Sequence, residues 1–177
     1  MFGICNLYVY ITCEENTTLM NGWIALSMTW VELTVESLRA RLDALFPGEF
    51  LPPRDRGTFV IDGPIERMQF AIHSAIKSAE GMFMLNSVPG PYSDVCDFAA
   101  RIEDNELRDL ALAQEAWLSV ELIGQTLSVE NACSFAGKVL AELAPQDTAV
   151  VLNLSGLTCR HFDEEIRRKL ANGSLTN

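Results

Sequence analysis

The sequence predicts an α+β protein, a layered sandwich in which a mixed β-sheet carries helices packed mainly on one face. Segments of strand length, rich in β-branched and aromatic residues, are interleaved with segments in which apolar residues recur every three or four positions. This order of elements is typical of helices that cover a sheet. The length of 177 residues fits one domain, spanning 1–177.

The first third of the chain predicts two strands and a helix. Residues 2–13 are rich in aromatic and β-branched side chains, which favours a strand. Residues 23–31 alternate large apolar side chains with smaller or polar ones, so one face of a second strand is expected in the core. These apolar positions are Ile24, Leu26, Met28 and Trp30. Thr34 then predicts the N-cap of a helix that ends at Pro47.

The middle of the chain contains one ambiguous segment. After a short strand at 58–62, the apolar residues of 65–79 fit both the alternation of a strand and the stripe of a helix. Pro64 suits the first position of a helix and Gly81 suits its C-terminal end, so the prediction is a helix. A strand at 82–88 is expected to follow.

The last part of the chain predicts two strands and four helices. The strands are 116–123 and 148–154, and the nearly continuous apolar character of the second predicts a central position in the sheet. The helices are expected after a cap at Ser93, over the acidic stretch 100–114, after a cap at Ser128, and over 162–171.

Two of these units resemble each other. The sequences LTVES (33–37) and LSVEN (127–131) each follow a strand that contains tryptophan, begin a helix, and lead to a proline. A strand that begins with threonine then follows in both cases. The pattern predicts two pseudo-duplicated strand–helix–strand units, although short capping sequences also recur by chance, and the layered class does not depend on the duplication.

The composition disfavours several classes of function. The 24 acidic and 13 basic residues give a net charge of −11, which does not supply the basic face that nucleic acids or anionic membranes need. No apolar run approaches the roughly 20 residues that span a bilayer. The expected partner is therefore another protein or a second copy of this chain, without nucleic acid or membrane.

The cysteines and the N-terminus predict a cytoplasmic location. The five cysteines are dispersed, odd in number and without CxxC spacing, which is typical of free thiols in a reducing compartment. They are Cys5, Cys13, Cys96, Cys133 and Cys159. The apolar start of the chain lacks the basic region and the small-residue cleavage site of a signal peptide.

The segment LTCRHFDEEIRRKL (157–170) is the strongest candidate for chemistry. Cys159, His161 and Asp163 could bind a metal ion or act in catalysis. The carboxylates, however, lie where the first turn of a helix favours anions, and the basic residues lie near its last turn. With only two histidines, and no nucleophile-elbow, phosphate-loop, dinucleotide or zinc-protease motif, we expect no catalytic residues, no metal and no cofactor.

The loop VPGPYSD is the preferred contact site for a partner. Two prolines stiffen it, its glycine permits an unusual backbone conformation, and its tyrosine offers an aromatic contact with a polar tip. The candidate contact residues are Pro89, Gly90, Pro91, Tyr92 and Asp94. The acidic region 94–115 that follows is either a solvated helical face or a docking surface for a basic partner.

A proline-rich turn at Pro89–Pro91, a short helix, the strand EAWLSVEL and a long amphipathic helix resemble the bacterial family called domain of unknown function 4261. The resemblance covers roughly residues 23–170 and implies the fold rather than an activity. In that family the later strand is preceded by histidines, and here Gln114 and Trp117 stand where they are expected. This chain therefore lacks whatever function those histidines carry.

These observations predict a non-enzymatic cytoplasmic domain that binds another protein or itself. An immunity- or inhibitor-like protein that masks a basic surface is one version of this prediction. Two alternatives stay open: a small enzyme or metal-dependent protein that uses His161, Cys159 and a nearby carboxylate, and a sensor that binds a small molecule between sheet and helices.

Overall fold

The described part of the chain forms one sheet of seven strands flanked by five helices. The computed structural model describes residues 21–47, 59–61, 68–76, 79–92, 95–123, 129–156 and 158–175. The strands are β1 (Asn21–Ser27), β2 (Phe59–Ile61), β3 (Met68–Ile76), β4 (Ala79–Pro89), β5 (Ala116–Ile123), β6 (Thr148–Asn153) and β7 (Thr158–His161). The helices are α1 (Val35–Leu45), α2 (Val95–Ala99), α3 (Asn105–Leu112), α4 (Val129–Leu143) and α5 (Glu164–Ala171).

The strand order is β2-β3-β4-β5-β1-β6-β7, and each pairing between these strands is antiparallel. The layered α+β class is confirmed, but the prediction of a mixed sheet is wrong for the described strands. Strands β5 and β6 run parallel to each other across the crossover helix α4, yet β1 lies between them and pairs with both. The parallel relation that a strand–helix–strand unit predicts is therefore present only between strands that are not neighbours.

Strand β1 is buried on both faces because helices cover both sides of the sheet. Trp23 and Ala25 face a core formed with α1, α4 and α5, which are three of the five helices and include the longest. Ile24 and Leu26 face a second, smaller core formed with α2 and α3. The prediction of helices mainly on one face is confirmed, because three of the five described helices, including the longest, cover that face. The layer formed by α2 and α3 on the other face was not predicted.

The start of α1 is where the sequence predicts it, and α5 begins two residues after the predicted start at 162, with Asp163 as its N-cap. In α1 the Thr34 hydroxyl accepts from the Ser37 N–H at 3.1 Å, and the Ser37 hydroxyl accepts from the Thr34 N–H at 2.9 Å. In α5 the Asp163 carboxylate accepts from the Ile166 N–H at 2.8 Å. The predicted caps Ser93 and Ser128 lie outside the described residues, and the duplication of two units stays a prediction.

The predicted helix over 65–79 is wrong. Residues from Met68 to Ile76 form β3, which pairs with β4 from Met68↔Ser87 to Ile76↔Ala79. The alternation of apolar residues prevails over the helical stripe because β2 on one side and β4 on the other satisfy the backbone of β3. Gly81 consequently lies inside a strand rather than at the end of a helix.

The predicted strand over 23–31 is too long. Strand β1 ends at Ser27, where its register with β6 shifts and the Ser27 hydroxyl donates to the Thr29 carbonyl at 2.9 Å. Met28 and Trp30 therefore leave the sheet and are 46% and 36% exposed, not part of the core. This early end of β1 places two large apolar side chains at the surface.

Gly173, just beyond α5, offers a direct test of the packing between α4 and the C-terminal end of α5. Its φ is +65°, and a Cβ there would lie 2.1 Å from Ser134 Oγ. We expect Gly173→Ala to lower the free energy of unfolding by about 2 kcal/mol, from backbone strain plus the clash. Removing the Ser134 hydroxyl relieves the clash but leaves the backbone strain, so Gly173→Ala should cost less in a Ser134→Ala background. An unchanged loss in urea unfolding would contradict the clash.

Candidate functional site

Four chain segments meet at one end of the sheet. The pairs Pro89↔Ala116, Ser27↔Ala116 and Ser27↔Thr148 place the end of β4, the start of β5, the end of β1 and the start of β6 side by side. The exposed side chains of these segments and of the adjoining turn of α3 form what we call the end surface. Its members are Met28, Trp30, Glu32, Pro89, Pro91, Leu112, Glu115 and Asp147.

Hydrogen bonds fix the positions of these segments relative to one another. The Gly90 N–H donates to the Glu115 carbonyl at 2.7 Å, and the Glu115 N–H donates to the Ser27 carbonyl at 3.0 Å. The Thr29 hydroxyl donates to the Asp147 carboxylate at 2.9 Å. Two backbone hydrogen bonds and one side-chain hydrogen bond therefore fix the segments of the end surface relative to one another.

The segment between β1 and α1 presents alternate residues to the core and to solvent. The Val31 carbonyl accepts a hydrogen bond from the Ser87 hydroxyl on β4, and Leu33 is only 1% exposed. Because Val31 and Leu33 anchor the segment from inside, the residues that alternate with them, Trp30 and Glu32, are exposed and point away from the core. The contacts of Val31 and Leu33 with the core therefore keep the Trp30 side chain at the surface.

The loop that was expected to contact a partner contributes its prolines to the end surface but not its tyrosine. Pro89 and Pro91 are exposed, and Gly90 between them adopts its positive φ. The half-buried Tyr92 ring packs edge-on against Trp117 at 5.2 Å between centroids. Tyr92 therefore packs against the sheet and supports the loop from the protein side. Asp94 lies outside the described residues.

Gln114 and Trp117, which stand where the resembling family is expected to have histidines, hold this loop in place. Gln114 is 4% exposed, and in the amide orientation that satisfies both partners its oxygen accepts from the Tyr92 N–H at 2.7 Å. Its NH₂ group then donates to the Ala116 carbonyl at 3.1 Å. Sequence reasoning assigned neither residue a role, because the contact joins segments that only the fold brings together.

The cluster of Cys159, His161 and Asp163 is divided by the structure. Cys159 and His161 lie on β7, a strand that the sequence did not predict, and the His161 Nε2 atom lies 3.8 Å from Asp104 Oδ2. Asp163 caps α5, with Glu164 and Glu165 in the first turn. Within the described ranges, no three or more His, Cys, Asp or Glu side chains are arranged to hold a metal ion.

The Cys159 thiol is poorly suited to nucleophilic chemistry. Burial raises its pKa to about 11, and a hydrogen bond from the Arg160 backbone lowers the pKa only in part. A thiol with this pKa is almost entirely protonated at neutral pH, whereas the thiolate is the reactive and metal-binding form.

A second polar site lies inside the protein, on the face of the sheet that α2 and α3 also cover. The Ser119 hydroxyl donates to Glu121 Oε1 at 2.7 Å, and Asn86 Nδ2 donates to Ser119 Oγ at 2.9 Å. Burial raises the pKa of the Glu121 carboxyl, an effect that the bonds from Ser119 and Asn86 oppose. Asn86 Oδ1 is buried and makes no hydrogen bond within the described part of the chain.

Sequence reasoning missed this buried site for a specific reason. The pattern of 116–123 predicts a strand with Leu118, Val120 and Leu122 on one apolar face, and it gives no role to the alternate residues Ser119 and Glu121. They are 0% and 9% exposed because the opposite face of the sheet is covered as well. Only the presence of a second layer would have signalled their burial.

Scans against models of protein families, curated proteins and solved structures each found no match. The resemblance to domain of unknown function 4261 therefore stays a prediction. Among the described residues, no helix combines the length and apolar character needed to cross a membrane.

Proposed function

We propose that this protein is a non-enzymatic binding domain that contacts another protein through the end surface. The observation that carries the proposal is the exposure of Met28, Trp30 and Leu112, which are 46%, 36% and 47% accessible. They are the exposed large apolar side chains of the described residues, and all three belong to the end surface. Tryptophan and methionine are enriched in protein interfaces, where tryptophan often dominates the binding energy.

The rigidity of the end surface supports this function. The bonds from Gly90 to Glu115 and from Glu115 to Ser27 fix the segments before a partner arrives, and the anchored Val31 fixes the orientation of Trp30. A surface that is already ordered loses little conformational entropy on binding, so more of the contact energy appears as affinity.

The alternative of an enzyme built on Cys159 and His161 has less support. The raised pKa of Cys159 disfavours the thiolate, and Asp163 is occupied as a helix cap. For a small-molecule sensor, the candidate is the buried site of Asn86, Ser119 and Glu121, but its polar groups are largely bonded to one another.

Site-specific photo-crosslinking tests the proposal. A photoreactive amino acid placed at Met28, Trp30 or Leu112 is expected to give adducts of one common mass in cells. The same amino acid at Arg41 on α1 or Glu130 on α4, both exposed and outside the end surface, should not give this adduct. Adducts that form equally at all five positions, or at none, would contradict the proposal.

The affinity of the identified partner supplies the second half of the test. We expect Trp30→Ala to weaken binding of the purified partner by about tenfold or more in calorimetry, because tryptophan anchors typically contribute at this level. Arg41→Ala is the control and should leave the affinity unchanged. Because Trp30 is exposed, neither variant is expected to lose its fold.

A further inference from the structure

The end surface is acidic as well as apolar. Glu32, Glu115 and Asp147 are all exposed members of it. None of them belongs to an ion pair in the described part of the chain, where the pairs are Arg39–Asp43, His161–Asp104 and Lys169–Glu165. Their negative charges are therefore not neutralised from within the described structure.

Arg167 on α5 and Arg108 on α3 are engaged by uncharged groups. The Arg167 guanidinium donates to the carbonyls of Ala141, Ala144 and Pro145 and lies 4.7 Å from the Phe162 ring centroid. The Arg108 guanidinium donates to the Ile102 carbonyl at 3.3 Å and to the Asn105 side chain. Both cations are held by uncharged groups in these contacts, so they are not free to turn toward the carboxylates of the end surface.

From this combination we propose that the partner of the end surface is a cationic polypeptide segment, rich in arginine or lysine, that contacts Trp30, Glu32 and Glu115. The inference rests on the proposed function and names the chemistry of its partner. An exposed tryptophan face attracts a guanidinium or ammonium group, and nearby carboxylates add charge complementarity. The net charge of −11 further steers a basic partner toward this protein and repels nucleic acids and anionic membranes.

Peptides of defined charge test the inference directly. A short labelled peptide of alternating arginine and glycine is compared with one in which glutamate replaces arginine, by fluorescence anisotropy at low and at physiological salt. We expect the arginine peptide to bind, with an affinity that falls as salt rises, and the glutamate peptide not to bind. Tryptophan emission should change on binding, and the change should be absent in Trp30→Phe, because Trp23 is only 1% exposed and the half-buried Trp117 packs against Tyr92.

Charge-matched variants separate a local site from the general attraction of an acidic protein. The double variant Glu32→Gln/Glu115→Gln is expected to weaken binding of the arginine peptide about tenfold. The control Asp43→Asn/Glu130→Gln removes the same charge from exposed positions on α1 and α4, outside the end surface, and should change the affinity less than about twofold.

Three outcomes would overturn the inference: no binding of the arginine peptide at low salt, equal binding of the glutamate peptide, or equal weakening by the two double variants. The crosslinking experiment decides whether the proposed function fails with it. If Met28 and Trp30 still crosslink specifically to a partner, the end surface binds protein and only the cationic character is wrong. If they do not, both proposals fail.

Discussion

Replacing Arg167 by alanine is expected to lower the free energy of unfolding by about 2–3 kcal/mol. Arg167 projects from α5, and its guanidinium donates to three carbonyls at the C-terminal end of α4, at 2.8, 3.1 and 2.7 Å. The last carbonyls of a helix have no partner within the helix, and hydrogen bonds to charged donors contribute about 1.5–3 kcal/mol. The variant loses this cap together with the contact to the Phe162 ring.

Two further substitutions make the Arg167 prediction specific. Arg168 is the next residue of the same helix and is exposed, so Arg168→Ala should change stability by less than about 0.5 kcal/mol. Arg167→Lys retains the charge but not the planar fork, and an intermediate loss is expected. Urea unfolding followed by circular dichroism measures all three variants. Similar losses of unfolding free energy in Arg167→Ala and Arg168→Ala would show that the hydrogen bonds of Arg167 to α4 do not stabilise the fold.

Replacing Glu121 by glutamine is expected to stabilise the protein at neutral pH. Burial raises the pKa of Glu121 above its ordinary value of 4.5, so the folded protein disfavours the ionised form. Between the unfolded and folded pKa values the folded state binds more protons, and stability falls as pH rises through that interval. Glutamine carries no charge at any pH and can still accept the hydrogen bonds from Ser119 and Asn86.

The sign of this effect gives it a clear signature. Below the unfolded pKa of Glu121, wild type and Glu121→Gln should have similar unfolding free energies, because both side chains are then neutral. The difference should grow as pH rises and level off above the folded pKa. The control Glu130→Gln, at an exposed position, should not reproduce this gain in stability with rising pH. Parallel curves for wild type and Glu121→Gln, measured by urea unfolding across this range, would refute the buried ionisation.

Elements that depend on interactions between residues close in sequence were predicted correctly, and elements that are decided only by their strand partners were not. The caps Thr34 and Asp163 depend on bonds within three residues, and the helices after them were predicted near their observed positions. Strand β3 was missed because its own residues satisfy both periodicities, and only its pairing with β2 and β4 decides between them. Local chemistry was thus readable from the chain, while a choice made by strand partners was not.

The candidate site also contains one part that the sequence predicted and one part that it did not. The stiff loop at Pro89–Pro91 was recognised from its composition, whereas Met28 and Trp30 were expected in the core. Their exposure follows from the register shift at Ser27, which depends on pairing with the distant strand β6. No pattern within 23–31 marks that shift, so the most exposed tryptophan of the described chain could not be found from the sequence.

The position of β1 has a consequence for how this chain is synthesised. β1 precedes the other six strands in the described sequence but lies inside the sheet. Its residue Ser27 pairs with Ala116 of β5, which follows 89 positions later in the chain. As the chain leaves the ribosome, Trp23, Ile24 and Leu26 have neither neighbouring strand until β5 and then β6 emerge. Pairings over such separations form slowly, and exposed apolar strands aggregate. The central sheet is therefore expected to be complete only after β6 has emerged, and until then this apolar strand is expected to be prone to aggregation.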